Sequence, residues 1–106
     1  MDNYTYVKVK RGLSKIHGIG LFADQIIEPY TCIGLGFTEY DNENCYVYEN
    51  ARYINHSIFP NTILVRKNQD YYVFSSYTIE KGEEIVSNYY DTPNGIMKPY
   101  HFINNS

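Results

Sequence analysis

The sequence predicts a mostly β domain of short strands, and two observations support that prediction. Residues 4–10 alternate with the period of two that is typical of a strand. Residues 62–67 and 71–77 are strand-like runs rich in β-branched and aromatic residues, and the polar segment between them predicts a hairpin. With 106 residues the chain has room for one domain with a modest core, which we assign to residues 1–106.

The remaining elements follow in chain order. Residues 11–20 contain three glycines and predict a loop, whereas the apolar, glycine-spaced run 30–37 predicts a strand with a bend. Residues 38–50 are polar and acidic without a sustained helical stripe, so we expect a loop or at most a short helix. A turn at 80–82 leads into a last strand at 83–90, and the tail beyond it has two prolines and a glycine that argue against regular structure.

Two heptapeptides of the chain echo each other weakly. Residues 27–33 and 79–85 each read as an Ile-Glu pair, a turn and a second isoleucine. Two copies of a turn between strands are too few to predict a repeat architecture.

The charge of the chain excludes one class of function and leaves one question open. The net charge is −3 and the sequence pI is about 5.5, which argues against direct nucleic-acid binding as the main task. Four of the nine basic residues nevertheless lie within the first fifteen positions: Lys8, Lys10, Arg11 and Lys15. They form either a solvated strand face and loop or a docking patch for an acidic partner.

The cysteines and the apolar runs bear on compartment. Cys32 and Cys45 lack the spacing of a zinc site and suggest no disulfide framework, so we expect two buried small hydrophobes. There is no signal-like N-terminus and no run of eighteen apolar residues, so we expect an intracellular, soluble protein without membrane contact. Richness in Tyr, Ile and Asn favours an A/T-rich genome such as that of a virus.

Three motifs carry the functional prediction. They read H-G-I-G-L-F-A at 17–23, R-Y-I-N-H-S-I-F-P-N at 52–61 and I-E-K-G-E-E-I-V-S-N-Y-Y at 79–90. In this order and wording they resemble the SET-domain protein lysine methyltransferases, over about residues 5–91, and by size the chain is similar to the minimal viral and bacterial members.

The resemblance implies a fold and a reaction. The fold would be the SET-domain, β-clip-like arrangement of small curved sheets with a C-terminal pseudoknot, and residues 92–106 would be a tail that covers the active site. The reaction would transfer a methyl group from S-adenosyl-L-methionine to the ε-amine of a lysine in a protein substrate, with a histone tail as one candidate. For a viral or effector protein the location would be the host nucleus.

The resemblance also implies roles for individual residues. Tyr89 matches the catalytic tyrosine that orients the methyl group, and it would also contact the cofactor. The other cofactor candidates lie in two segments, residues 17–20, which we call the glycine loop, and residues 52–61, which we call the decapeptide. They are His17, Gly18, Ile19, Gly20, Arg52, Asn55 and His56. A metal site is not expected, because neither His17 nor His101 stands at a ligand spacing from His56.

Aromatic residues near the motifs are the candidates for a lysine channel. The set consists of Phe37, Tyr46, Tyr48, Ser87, Tyr90, Tyr100 and Phe102. Ser87 stands where many members carry Phe or Tyr, and each aromatic member also has plain core packing as an alternative explanation. The stretch between Ile33 and Arg52 is much shorter than the substrate-reading insert of most members, so a catalytically inactive SET module that binds peptides or partners stays as the alternative function. The oligomeric state is open, and a homodimer suits so short a catalytic domain.

Overall fold

The structure is a computed structural model that describes residues 5–41 and 44–89, and within them it forms two four-stranded sheets. The strands in chain order are β1 Val9–Leu13, β2 Ile19–Ala23, β3 Cys32–Glu39, β4 Cys45–Val47, β5 Asn55–His56, β6 Thr62–Lys67, β7 Asp70–Ser75 and β8 Glu84–Ser87. A 3₁₀-helix at Asn50–Tyr53 lies between β4 and β5.

The first sheet has the order β1-β2-β8-β5 and brings together strands from both ends of the described chain. The strands β1 and β2 form an antiparallel hairpin, β8 pairs antiparallel with β2, and β5 pairs parallel with β8. The parallel pair puts Asn55 opposite Val86 and His56 opposite Ser87. The sheet therefore joins the glycine loop, the decapeptide and the C-terminal motif, which are far apart in sequence.

The second sheet has the order β4-β3-β7-β6 and is antiparallel throughout. Its register along β3 and β7 shifts twice, between Cys32 and Gly34 and between Leu35 and Phe37. Such bulges bend a strand and increase its twist. These register shifts support the bend that the glycine-spaced run predicts in this strand.

The core contains apolar side chains of both sheets. Leu21 and Ile85 belong to the first sheet, Phe37 and Tyr71 to the second, and all four are almost completely buried. The rings of Phe37 and Tyr71 stack with centroids 4.2 Å apart and planes 7° from parallel. Burial of large apolar side chains is the main source of stability in such a domain.

The two echoing heptapeptides meet in space. Ile27 and Ile79 form an isolated antiparallel bridge, in which each backbone N–H donates to the other carbonyl at 2.8 Å. Both side chains are buried, and each unit leads into a strand, β3 in one case and β8 in the other. The similarity is thus a pair of equivalent connections that lie side by side.

The mostly β fold class is confirmed, and so are the hairpin of β6 and β7 and the turn before β8. Two element predictions are wrong. Residues 11–20 are not one loop, because β1 extends to Leu13 and β2 begins at Ile19. Residues 38–50 contain the end of β3 and all of β4, which pair with each other between residues 37 and 47.

The predicted first strand and the predicted cysteine burial also need correction. Before Val9 the chain is held by a bridge from Thr5 to Gly34 rather than by a ladder, although Val7 packs on the core as its alternation predicts. Cys32 and Cys45 are free thiols that are only half-buried. The predicted pseudoknot and the tail at 92–106 lie outside the described residues. Within the described part of the chain, no helix has the length and apolarity needed to cross a membrane.

Candidate functional site

Tyr89, the candidate for catalysis, contacts the decapeptide. Its hydroxyl donates a hydrogen bond to the carbonyl oxygen of Ile54 at 2.7 Å, and its backbone N–H donates to Nδ1 of His56 at 3.1 Å. The imidazole of His56 also packs against the Tyr89 ring, with centroids 5.0 Å apart. Tyr89 therefore lies directly on the segment that the sequence assigns to the cofactor.

Tyr89 is in its neutral form at this position. Its side chain is buried, and burial raises the pKa of its hydroxyl far above the ordinary value of about 10. The hydroxyl therefore keeps its proton across the physiological pH range. Because Nδ1 of His56 accepts this hydrogen bond, a neutral His56 ring carries its N–H proton on Nε2.

The glycine loop before β2 is organised by Ser14. Its Oγ accepts hydrogen bonds from the backbone N–H groups of Ile16 and His17, and its own backbone N–H donates to the carbonyl of Gly18 at 2.9 Å. Gly18 adopts φ +46°, a left-handed conformation that suits glycine. Residues 15–18 are exposed, so the loop presents backbone groups to solvent.

The side chain of Asn55, on β5, connects this loop to β8. Its Nδ2 lies 3.0 Å from the carbonyl oxygen of His17, 3.1 Å from Oγ of Ser14 and 2.9 Å from Oε2 of Glu84. Oγ of Ser14 in turn lies 2.9 Å from both carboxylate oxygens of Glu84. We call Ser14, Asn55 and Glu84 the polar cluster, which is half-buried to fully buried.

Gly20 makes room for the polar cluster. A Cβ atom at this position would collide with the carboxylate of Glu84 and would lie 3.1 Å from Cβ of Ser14. Glycine at the second position of the G-x-G motif is thus explained by a neighbouring side chain. Ile19, between the two glycines, begins β2 and pairs with Leu13.

The decapeptide is joined to β8 by its last residue, Asn61. Its Nδ2 donates to the carbonyl of Glu84 at 2.8 Å, and its Oδ1 accepts from the N–H of Val86 at 3.0 Å. A buried amide that satisfies both backbone groups in this way replaces a stretch of sheet ladder. Asn61 therefore ties the end of the decapeptide to the β8 backbone on both sides of Ile85.

Three further candidates form a separate group on β4, on the residue that follows it and on the 3₁₀-helix. Tyr46 and Tyr48 meet edge to face at 4.8 Å, and the guanidinium of Arg52 lies 6.0 Å from the Tyr46 ring centre. Nε of Arg52 donates to the carbonyl of Val47 at 3.1 Å. Arg52, which the resemblance places with the cofactor residues, thus lies with two of the channel candidates.

The other channel candidates are dispersed. Phe37 is completely buried and stacks on Tyr71, so in the described residues it serves the core. Ser87 is buried, with its Oγ 2.6 Å from Oγ1 of Thr62, and it lines an open groove of about 240 Å³ beside Leu64. Tyr90, Tyr100 and Phe102 lie outside the described residues.

Comparison with known proteins decides the family. A family model described as the SET domain matches residues 37–90, just over half of the chain. The chain belongs to the SET domain family. A SET domain-containing protein of Dictyostelium discoideum is 36% identical over an alignment of 67 residues, and the match covers 57% of this chain and 16% of that protein. This SET domain therefore spans about a sixth of the length of that relative.

Solved structures agree with the fold. A Plasmodium falciparum protein assigned as a histone methyltransferase is similar with a TM-score of 0.66 and 21% identity, over 82% of this chain and 96% of the other. One chain in a structure of apo ctPRC2 with two substitutions in Ezh2 is also similar, with a TM-score of 0.67 and 24% identity. The similarity covers 89% of this chain and 16% of that chain. Both likenesses concern the fold of the SET domain.

The structure adds three residues to the candidate site for which the sequence motifs assign no role. Ser14 and Glu84 are part of the polar cluster, and Ile54 contributes only its carbonyl oxygen. Glu84 lies in the G-E-E-I motif, so a signal for it existed, whereas any residue at position 54 would provide a carbonyl. Among residues 5–41 and 44–89, no three His, Cys, Asp or Glu side chains come together in a way that could hold a metal ion.

Proposed function

We propose that this SET domain transfers a methyl group from S-adenosyl-L-methionine to the ε-amine of a protein lysine. The observation that supports this most strongly is the position of Tyr89, whose hydroxyl and backbone N–H contact Ile54 and His56 on either side of Asn55. The candidate for catalysis and the candidates for cofactor binding are thus immediate neighbours. Such convergence of three distant motifs at one place is typical of an active site.

The residues present fit the cofactor. Its amino-acid end carries an ammonium and a carboxylate, and the exposed backbone of residues 15–18 and the amide of Asn55 offer donors and acceptors for such groups. Gly18 lets a ligand approach the backbone closely, because it has no side chain. When bound, S-adenosyl-L-methionine would supply a methyl group attached to a positively charged sulfur.

The role of Tyr89 is to orient rather than to remove a proton. Its raised pKa keeps the hydroxyl neutral, so it cannot act as a phenolate base near pH 7. Donation to Ile54 fixes the direction of the O–H bond and thereby the direction of the oxygen lone pairs. A fixed acceptor oxygen can hold a polarised methyl group by weak C–H···O contacts, and alignment of this kind supplies much of the rate.

The substrate would be a lysine in an exposed protein segment. Tyr46 is half exposed and stands edge to face with Tyr48, and this pair offers a partly apolar wall along which the aliphatic part of a lysine could pack. Thr38 links the Tyr48 hydroxyl, at 2.7 Å, to Asp70, at 2.6 Å, which fixes the ring. The Plasmodium relative is assigned as a histone methyltransferase, so histones are the first substrate pool to test.

Transfer of labelled methyl groups tests the proposal. Purified protein would be incubated with methyl-labelled S-adenosyl-L-methionine and core histones, and separately with cell lysate. We expect wild-type labelling and, for Tyr89→Phe, a loss of at least about 100-fold, because the group that aligns the methyl is removed. The matched control is Tyr77→Phe, since Tyr77 is 63% exposed and lies outside the site.

Wild type and Tyr89→Phe must be compared under conditions in which both proteins are fully folded. Tyr89→Phe leaves the Ile54 carbonyl without this donor, so a destabilisation of about 1–2 kcal/mol is expected and assays should run well below the melting temperature. If wild-type protein binds S-adenosylhomocysteine but labels no substrate pool, the enzyme proposal fails and a peptide-binding SET module replaces it. Equal labelling by wild type and Tyr89→Phe would remove Tyr89 from the mechanism.

A further inference from the structure

The proposed transfer assigns no task to the carboxylate of Glu84. This side chain comes from the first residue of β8 and is directed at the glycine loop and at Asn55 rather than at an opposite charge. The described ion pairs join Arg11 to Glu49 and Arg66 to Glu39, and neither involves Glu84. A half-buried carboxylate held by a hydroxyl and an amide is costly to desolvate, so its presence calls for an explanation.

The surroundings of Asn55 determine which way its amide points. Its Nδ2 faces three acceptors: the Glu84 carboxylate, the His17 carbonyl and the Ser14 hydroxyl oxygen. A flipped amide would place its own oxygen against a carboxylate and a carbonyl, which repel it. The amide oxygen is therefore directed away from Glu84, and Glu84 carries the charge that enforces this orientation.

The same carboxylate holds the glycine loop through Ser14. The Ser14 hydroxyl donates to Glu84 and accepts from the N–H groups of Ile16 and His17, so one side chain connects β8 to the turn. Gly20 leaves the space in which the carboxylate sits, because a Cβ there would collide with it. Loop and amide are thus positioned by one negative charge.

We infer that Glu84 is a positioning residue for cofactor binding and acts through Ser14 and Asn55. It holds the Asn55 amide with its oxygen available to the α-ammonium group of S-adenosyl-L-methionine, and it keeps residues 14–18 in the conformation that receives the amino-acid end. This inference rests on the proposed function. Glu84 contacts neither the methyl group nor the lysine, so its loss acts on cofactor affinity rather than on the transfer.

Two substitutions test the inference by different routes. Glu84→Gln keeps the size of the side chain and removes its charge, and Ser14→Ala removes the hydroxyl that links the carboxylate to the loop. The dissociation constant for S-adenosylhomocysteine would be measured by calorimetry, together with kcat and KM for methyl transfer. We expect affinity to fall about tenfold in each, the effect of losing one charge-assisted hydrogen bond, with kcat at saturating cofactor unchanged within about twofold.

The chain offers matched controls. Glu83→Gln changes the neighbouring glutamate, which is exposed and accepts only from the N–H of Glu80 in its own turn among the hydrogen bonds described. Ser76→Ala changes a half-buried serine outside the polar cluster. Both should bind S-adenosylhomocysteine like wild type. Ser14→Thr retains a hydroxyl and should recover most of the affinity that Ser14→Ala loses.

The outcomes separate positioning from simple stabilisation. Because Ser14 and Glu84 act as one unit, the double variant Ser14→Ala with Glu84→Gln should bind no more than about twofold more weakly than the weaker single variant. Wild-type affinity in folded Ser14→Ala and Glu84→Gln, with only their melting temperatures lowered, would overturn the inference and leave the proposed function intact. If wild type itself binds no S-adenosylhomocysteine, the proposed function fails first. Should Glu84→Gln not fold, Ser14→Ala and Ser14→Thr decide alone, since equal affinities in that pair contradict the inference.

Discussion

Two groups of side chains in this SET domain, one on each sheet, are held in place in different ways. The first sheet, β1-β2-β8-β5, carries the polar cluster, where Asn55 and Glu84 are held by named hydrogen bonds. The second sheet, β4-β3-β7-β6, carries the stacked pair of Phe37 and Tyr71 in the core. Hydrogen-bonded side chains tolerate few replacements, whereas packed apolar side chains need mainly size and shape. Substitutions in the polar cluster should therefore change mainly binding, and those in the Phe37–Tyr71 pair should change mainly stability.

The largest effect on stability is expected for Phe37→Ala. Phe37 is completely buried against Tyr71, and its truncation leaves a cavity, so the free energy of unfolding should fall by about 3–5 kcal/mol. Urea unfolding followed by circular dichroism measures this. For a domain of this size such a loss is a large share of the total, and Phe37→Leu provides a variant that stays folded if Phe37→Ala does not.

The comparison with an exposed aromatic residue sharpens this prediction. Tyr77→Ala, at a position that is 63% exposed, should change the free energy of unfolding by no more than about 0.5 kcal/mol. If Phe37→Leu unfolds with wild-type stability but fails to transfer methyl groups, Phe37 belongs to the lysine channel after all. That result would contradict the assignment of Phe37 to the core alone.

A smaller and opposite effect is expected for Tyr71→Phe. The hydroxyl of Tyr71 is buried and has no hydrogen-bond partner among the described residues, although the ring packs well on Phe37. An unsatisfied buried hydroxyl costs about 1–3 kcal/mol, so its removal should raise the free energy of unfolding by about 1 kcal/mol. Urea unfolding at neutral pH measures the gain, and a loss instead would mean that the hydroxyl is satisfied in solution.

Tyr71→Phe should also change how the free energy of unfolding depends on pH in the alkaline range. Burial raises the pKa of Tyr71 above its ordinary value, and the nearby charge of Glu39 adds to this while Arg66 opposes it. The folded state therefore favours the neutral hydroxyl. The stability that this preference contributes is fully present below the pKa of the unfolded chain, about 10, and is lost as the pH rises through the pKa of Tyr71 in the folded protein. Tyr71→Phe should lose less stability than wild type between pH of about 9 and 11. Tyr77→Phe, at an exposed position, should follow wild type.

The predictability of the fold differs along the chain for physical reasons. The hairpin of β6 and β7 follows from alternation and from a polar turn, both of which are local properties. Residues 11–13 of β1 are predicted as a loop because glycines suggest loops, yet here Gly12 pairs with Gly20 across the ladder, and a Cβ atom at Gly12 would lie in ordinary contact with the Phe22 ring. The short strand β4 pairs with β3, and its three residues alone carry too weak a pattern to predict it.

The residues of the candidate site also differ in how well the sequence predicts them. Asn55, His56 and Tyr89 could be named from the sequence because they belong to motifs, and the structure brings Tyr89 into contact with His56, the residue next to Asn55. The carbonyl of Ile54 carries no side-chain signal, and Ser14 becomes relevant only through a carboxylate seventy residues later in the chain. Whether an aromatic residue packs in the core or lines a surface depends on tertiary contacts, which is why Phe37 and Tyr46 could not be told apart.

The smallest expected effect concerns the equivalent turns that lead into the two sheets. Tyr30 before β3 and Gly82 before β8 occupy the same place in the echoing heptapeptides, and both have positive φ, +59° and +91°. A left-handed conformation costs a residue with a side chain about 1–2 kcal/mol, whereas glycine pays mainly in chain entropy. Tyr30 is 73% exposed, so its ring offsets little of that strain.

Tyr30→Gly should therefore raise the free energy of unfolding by about 0.5 kcal/mol, while Gly82→Ala should lower it by about 1 kcal/mol or more. The backbone N–H of residue 30 keeps its 2.8 Å bond to the carbonyl of Ser75 in either case. Urea unfolding of both variants measures the difference. A destabilised Tyr30→Gly would show that the exposed ring supports β3 by contacts that outweigh its backbone strain, and the two turns would then be equivalent in shape but not in energy.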